Sequence, residues 1–208
     1  MIGEPSGWDR MTLGYKGRLL INWRWDGALA HSAAAVATGP EHAFAYWQQV
    51  LSYAETFNQD ITSQFARLDP TLQAINSGYE GAYGWAEMTI GFRLPPMLSP
   101  DAVARDLSTL AADDVRVRTY GHEQACVAEK DTPLTRALRG AIRAQGGRPR
   151  FVYKTGTSDM NIVAPQWGCP IVAYGPGDSS LDHTPDEHLP LDEYLCAINV
   201  LTEALSRL

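Results

Sequence analysis

Three short stretches of this 208-residue chain carry side chains able to do chemistry. Ile2-Gly3-Glu4-Pro5-Ser6-Gly7 places one carboxylate where an apolar strand end runs into a Gly/Pro turn. Gly27-Ala28-Leu29-Ala30-His31-Ser32-Ala33 sets a histidine among small residues after a strand. The third stretch opens with Lys154-Thr155-Gly156-Thr157-Ser158-Asp159 and continues at Gly175-Pro176-Gly177-Asp178. It closes with Asp182-His183-Thr184-Pro185-Asp186-Glu187. Carboxylates and imidazoles are metal ligands, and a histidine flanked by acids in a Gly/Pro-rich loop suits a ligand supported by its neighbours. Taken singly, each stretch also fits a turn or a packed or exposed histidine.

The elements that must position these residues follow from periodicity. Residues 12–25 read as a strand rich in aromatic and branched side chains. Residues 41–58 read as a helix, with Phe44, Trp47, Leu51, Ala54 and Phe57 at three- and four-residue spacing. Strands are predicted over 72–77 and 83–94, separated by Gly78 and Gly81 and ended by Leu94-Pro95-Pro96. Ser99-Pro100-Asp101 is a helix start, with a capping serine, proline at the first helical position and an early acid. Val103, Leu107 and Leu110 line that helix's buried face, and 115–127 reads as a long strand. This order, strand–helix–strand–strand–helix–strand, is the ferredoxin-like one: an antiparallel sheet covered on one face by two helices.

After residue 127 the texture changes. A helix over 135–145 is closed by Gly146-Gly147, and short strands are predicted at 151–153 and 170–174. A final amphipathic helix over 191–208 carries Leu191, Leu195, Ile198, Leu201 and Leu205 on one side. Alternating strands and helices predict a piece of an α/β domain, and two strands cannot bury both faces of a parallel sheet by themselves. The fold class is therefore α+β.

Composition bounds the function. Apolar residues make up 45% and charged residues 20%, as in ordinary globular proteins, and the net charge of −7 gives no basis for binding nucleic acid or an anionic membrane. No apolar run approaches the roughly 20 residues of a membrane span. The start has neither a basic segment nor a hydrophobic one, so no signal peptide is predicted and the expected location is cytoplasmic. Cys126, Cys169 and Cys196 lie far apart, which predicts reduced thiols rather than a disulfide framework or a zinc knuckle. One region is basic: Lys130, Arg136, Arg139, Arg143, Arg148, Arg150 and Lys154 face a single acid, Asp131. It reads either as a solvated helix face or as a patch for an acidic substrate or partner.

Jointly, in order and separation, the three stretches resemble the two-zinc deacylase and aminopeptidase family of the ArgE/DapE type, over essentially the whole chain. Gly3-Glu4-Pro5 is similar to the motif whose glutamate binds one zinc, and Asp182-His183-Thr184-Pro185-Asp186-Glu187 to the motif whose histidine binds the other. Ala30-His31-Ser32-Ala33 resembles the lid histidine that reaches the partner subunit's active site, and Gly156-Thr157-Ser158-Asp159 the loop lining the substrate pocket. The wording of the Lys154–Asn161 and Gly175–Pro185 segments looks most like the N-acetyl-lysine deacetylase branch, also described as hydrolases releasing lysine or ornithine from an amino-group carrier protein.

The resemblance implies a ferredoxin-like lid and dimerisation domain over 12–127, inserted in a partial α/β zinc-peptidase catalytic domain formed by 1–11 and 128–208. It implies two zincs per complete site, with cobalt as a substitute, that lower the pKa of a bridging water and polarise the amide carbonyl. Glu4 and His183 are the implied metal ligands, and His31 the oxyanion stabiliser donated across a homodimer. Arg93 matches a lid arginine that binds the substrate carboxylate, Lys154 is a further candidate to neutralise a carboxylate, and Gly156 and Thr157 belong to the loop lining the substrate pocket. The implied substrate is a small acyl-amino acid or a carrier-protein conjugate, in lysine or arginine biosynthesis. A related aminoacylase, carboxypeptidase or succinyl-diaminopimelate desuccinylase is the alternative enzyme, and a non-catalytic dimerisation module the alternative to an enzyme. The family's His-x-Asp motif, bridging aspartate and Glu-Glu pair have no counterpart in these 208 residues. The chain is thus expected to be the C-terminal portion of such an enzyme and inactive alone.

Overall fold

The computed structural model describes residues 1–29, 31 and 36–208. In chain order the elements are β1 (Ile2–Gly3), β2 (Arg10–Tyr15), β3 (Gly17–Ala28), α1 (Gly39–Asn58), β4 (Asp69–Glu80), β5 (Tyr83–Leu94) and α2 (Pro100–Thr109). They continue as β6 (Val115–Glu123), β7 (Cys126–Val127), α3 (Pro133–Ala144), β8 (Arg150–Lys154), α4 (Asp159–Trp167), β9 (Ala173–Tyr174) and α5 (Leu191–Leu205). Two compact units result, Lys16–Gln124 and Met1–Tyr15 with Ala125–Leu208.

In the Lys16–Gln124 unit the strands run in the order β4-β5-β3-β6, every neighbour antiparallel. Side chains alternate along β3: Leu19, Ile21, Trp23 and Trp25 are buried, while Arg18, Leu20, Asn22, Arg24 and Asp26 point the other way. The buried set packs against Ala43, Tyr46, Val50 and Ala54 of α1 and Val103, Ala104 and Leu107 of α2. Each large side chain in such a core contributes about 1.5–3 kcal/mol relative to leaving it in water. The ferredoxin-like arrangement is as the sequence order predicts. The helix stripe is not: Phe44 is 62% exposed, and the face that meets the sheet is Ala43, Tyr46, Val50 and Ala54, with Trp47 and Phe57 at its margin. The Tyr46 hydroxyl donates to the Leu107 carbonyl (3.2 Å), tying α1 to α2.

Two strands expected as continuous are each divided. Residues 12–25 fall on β2 and β3, and 115–127 on β6 and β7; both breaks lie where the chain leaves one unit for the other. No turn residue marks the first break, because Tyr15-Lys16-Gly17 keeps an extended, fully buried course.

The other unit holds a five-stranded mixed sheet, so it is more complete than two predicted strands suggested. β2 pairs in parallel with β8 and antiparallel with β7 and β9, while β1 runs parallel to β9. Met11 and Leu13 of β2, with Val172 and Tyr174, pack on α3 and α5; Ile171 and Ala173 pack with Tyr15 and with Met160 of α4. In α5 most of the leucine stripe faces outward: Leu191, Leu195 and Leu205 are 76%, 57% and 64% exposed, Ala197, Val200 and Ala204 make the contact, and Leu201 packs at its margin. Among the described residues no helix is long and apolar enough to cross a membrane.

Candidate active site

Glu4 directly follows β1, whose parallel pairing with β9 sets the turn beside the Gly175–Gly177 loop. Backbone hydrogen bonds join the two, from Ser6 N–H to Gly175 O (2.9 Å) and from Gly7 N–H to Gly177 O (2.9 Å). Gly175 is required by this approach, since a Cβ there would lie 2.8 Å from the Glu4 carbonyl oxygen. Lys154, at the end of β8, donates from Nζ to the Pro5 carbonyl and lies 5.8 Å over the Tyr15 ring. The same turn is thus gripped by a glycine loop on one side and an ammonium on the other.

Charges converge on it. Burial holds the Glu4 carboxyl above the ordinary carboxylate range; Lys154 opposes that, and Asp159 and Asp182 add to it. Burial likewise depresses Lys154, opposed by Asp182, Glu4 and Asp178. Glu4 thus feels Lys154, Asp159 and Asp182, while Asp178 feels Arg10 and Lys154. The adjoining cleft, about 530 Å³, is lined by Pro5, Pro176, Asp178, Asp182, Glu187 and His188. Tyr15 is 2% exposed, and its hydroxyl is pushed well above its usual range by burial and then by Glu4.

Gly156 and Thr157 lie in the loop between β8 and α4. Ser158 caps α4, its Oγ accepting from Met160 N–H (3.2 Å) and its own N–H donating to Asn161 Oδ1 (3.0 Å). His183 is exposed and holds a left-handed backbone, φ 62°, which among the described residues no other non-glycine adopts. Its N–H donates to Glu187 Oε2 (2.8 Å). A non-glycine in that conformation persists only where its surroundings impose it, and such residues cluster at functional sites.

His31 and Arg93 belong to the Lys16–Gln124 unit. His31 lines a cleft of about 210 Å³ with Trp25, Leu29, Val36, Tyr79 and Trp85; Ala30, Ser32 and Ala33 of its motif lie outside the described residues. Arg93 is the penultimate residue of β5 and projects from the face without helices, since Phe92 and Leu94 on either side are buried.

Among the described residues no three His, Cys, Asp or Glu side chains are grouped to hold a metal ion. A catalytic zinc takes about three protein ligands, so Glu4 and His183 do not complete a site by themselves. Sequence reading missed Asp159 and Asp182 as electrostatic neighbours of Glu4, and Asp178 as one of Lys154, although their position inside the acidic loops was a signal. Tyr15 gave none, because an aromatic at the end of a strand reads as core.

Fold, motif order and charged turn together describe a metallopeptidase-type hydrolase scaffold. The chain belongs to the peptidase family M20/M25/M40, whose family model matches residues 1–207. It is 47% identical to a LysW-lysine hydrolase of Deinococcus radiodurans, over 100% of this chain and 59% of that protein. It is 37% identical to a putative LysW-lysine/LysW-ornithine hydrolase of Thermococcus kodakarensis, over 100% of this chain and 54% of that one. The chain therefore spans between half and two thirds of the length of these curated relatives. Among solved structures, the M20 family metallo-carboxypeptidase Sso-CP2 of Sulfolobus solfataricus superposes with a TM-score of 0.76 at 18% identity, covering 98% of this chain and 62% of that one. At that identity the likeness establishes the fold alone. The family is generally metal-dependent.

Proposed function

We propose that this chain is the lid and the C-terminal catalytic portion of a zinc-dependent amide hydrolase that releases lysine or ornithine from an N-acyl or carrier-protein-bound precursor. The observation that carries this is the 47% identity to a LysW-lysine hydrolase across every residue of the chain. Glu4 and His183 are proposed metal ligands, one to each zinc, in a site that this chain alone leaves incomplete. Arg93 offers a planar fork for the substrate's carboxylate, and His31 a donor to the developing oxyanion across a homodimer formed through the lid. Lys154 fixes the Glu4 turn through the Pro5 carbonyl and offsets its carboxylates. Gly156 and Thr157 shape the pocket wall.

A carrier-protein substrate is supported by the basic surface around α3. Arg136 and Arg150 are matched by Asp131 and Asp9, but Arg143 and Arg148 are exposed and, among the described residues, make no ion pair. Such a surface would steer an acidic partner and leave a small substrate indifferent.

The test is a chimera with the N-terminal remainder of the Deinococcus radiodurans relative placed ahead of this chain. Loaded with zinc, it is expected to hydrolyse N-acetyl-lysine or N-acetyl-ornithine and to leave N-succinyl-diaminopimelate nearly untouched. Preference for the succinylated di-acid contradicts the proposal, as does a folded, zinc-loaded chimera that turns over neither these free substrates nor a lysine- or ornithine-loaded carrier protein.

A further inference from the structure

The turn that carries Glu4 prolongs the pairing of β1 with β9 past the ends of both strands. Ile2 lies opposite Ala173 and Gly3 opposite Tyr174. Ser6 and Gly7 then donate their N–H groups to the Gly175 and Gly177 carbonyls, each at 2.9 Å. The run ends on two backbone donors that share one side-chain acceptor. Trp8 N–H and Gly177 N–H both donate to Glu193 Oε1, at 2.9 and 3.1 Å. The Trp8 carbonyl in turn accepts from the Tyr174 hydroxyl at 2.7 Å, so Trp8 is held at both of its backbone groups.

Glu193 is half-buried and sits in the first turn of α5. Where the backbone ladder runs out, its carboxylate takes the place of a carbonyl and joins the Glu4 turn, the Gly177 loop and α5 at one atom. The fit is close on the other side too. Gly177 has φ +96°, and a Cβ there would stand 3.4 Å from Pro5 Cβ and 3.6 Å from Leu189 Cδ1. Hydrogen bonds to an ionised carboxylate are roughly twice as strong as neutral ones, and here two fall on a single oxygen. An acid at the start of a helix is also favoured by the helix dipole. That role needs only the charge, whereas the bonds to Trp8 and Gly177 need the reach of the side chain.

We infer that Glu193 is a positioning residue, whose carboxylate locks the Glu4 turn to the loop leading from Gly177 to His183. It thereby sets where the two proposed metal ligands lie relative to each other. The inference rests on the reading of Glu4 and His183 under the proposed function, and adds to it a group that acts through the backbone of Trp8 and Gly177. Without the lock, turn and loop must be ordered when the ligands engage a metal, and affinity falls by the cost of that ordering.

Two measurements test it. In this chain, hydrogen exchange read by NMR follows the N–H groups of Ser6, Gly7, Trp8 and Gly177. Glu193→Ala is expected to speed exchange about tenfold at all four, including Ser6 and Gly7, which Glu193 does not touch. Glu193→Gln keeps an oxygen at the same reach and is expected to stay within about threefold of wild type. Glu193→Asp keeps the charge at the helix start but draws the carboxylate back by one methylene. It is expected to behave like Glu193→Ala, and stands in should that variant not fold. Faster exchange confined to Trp8 and Gly177 overturns the lock, and so does the opposite order, with Glu193→Asp near wild type and Glu193→Gln impaired. The second measurement is chelator competition for zinc in the chimera. Glu193→Ala and Glu193→Asp are expected to hold zinc about tenfold more weakly than wild type, at the lower end of what removing a ligand-orienting group costs. Unchanged zinc affinity in both, with affinity lost in Glu4→Ala, overturns the positioning role and leaves the Glu4 reading standing. Unchanged affinity in Glu4→Ala overturns that reading and the inference with it.

Discussion

Lys16 stands where β2 gives way to β3, with its ammonium wholly buried. It donates to the Arg67 carbonyl at 2.6 Å and to Asp69, whose side chain is 30% exposed, at 2.5 Å. Lys16 thereby fastens the first residue of β4 beside the start of β3. Removing one member of a fully buried pair costs about 3–5 kcal/mol. Because Asp69 still meets water and Gln64, Lys16→Met is expected to cost less, about 2 kcal/mol at neutral pH in urea denaturation. Burial also holds the Lys16 ammonium below its ordinary value of 10.5. Between that lowered value and 10.5 the unfolded chain keeps a proton that the folded chain has released, so stability from this group rises with pH there. Below the window the penalty for burying the charge is present in full. Wild type should accordingly gain on Lys16→Met as pH climbs toward 10.5; a difference that shrinks over that range contradicts the assignment.

At the scale of elements, α5 separates pattern from packing. Its leucines recur at helical spacing, yet Ala197, Val200 and Ala204 form the core contact, and of the stripe Leu201 packs at its margin. Val200→Ala is expected to cost about 2 kcal/mol, from lost burial plus a cavity. Leu195→Gln should change stability by less than about 0.5 kcal/mol in the same urea titration. The reverse order would restore the leucine stripe as the buried face. The antiparallel sheet was legible because β3 and β5 alternate strictly and Pro and Gly punctuate their ends. Periodicity does not say which of two apolar stripes a helix buries, and side-chain size misled for both α1 and α5. α4 went unread: it is nine residues long, contains Pro165 and ends at Gly168 with φ 61°, all of which read as loop. The passage through Lys16 was invisible because an extended residue with a buried side chain looks like more strand.

At the scale of the molecule, the candidate site was legible as motifs and illegible as geometry. Glu4, Lys154 and His183 stand out in the sequence through their glycine and proline neighbours. That Asp159, Asp178 and Asp182 bear electrostatically on Glu4 or Lys154 follows only from the pairing of β1 with β9 and β2 with β8. Among the described residues the carboxylates near Glu4 form no three-ligand group.

Zinc content tests that account most directly. This chain, equilibrated with modest free zinc, desalted and assayed by elemental analysis, should retain well below one zinc per chain. Close to two zincs per chain would mean that residues within these 208 complete the site, and would contradict the view that Glu4 and His183 await ligands from elsewhere.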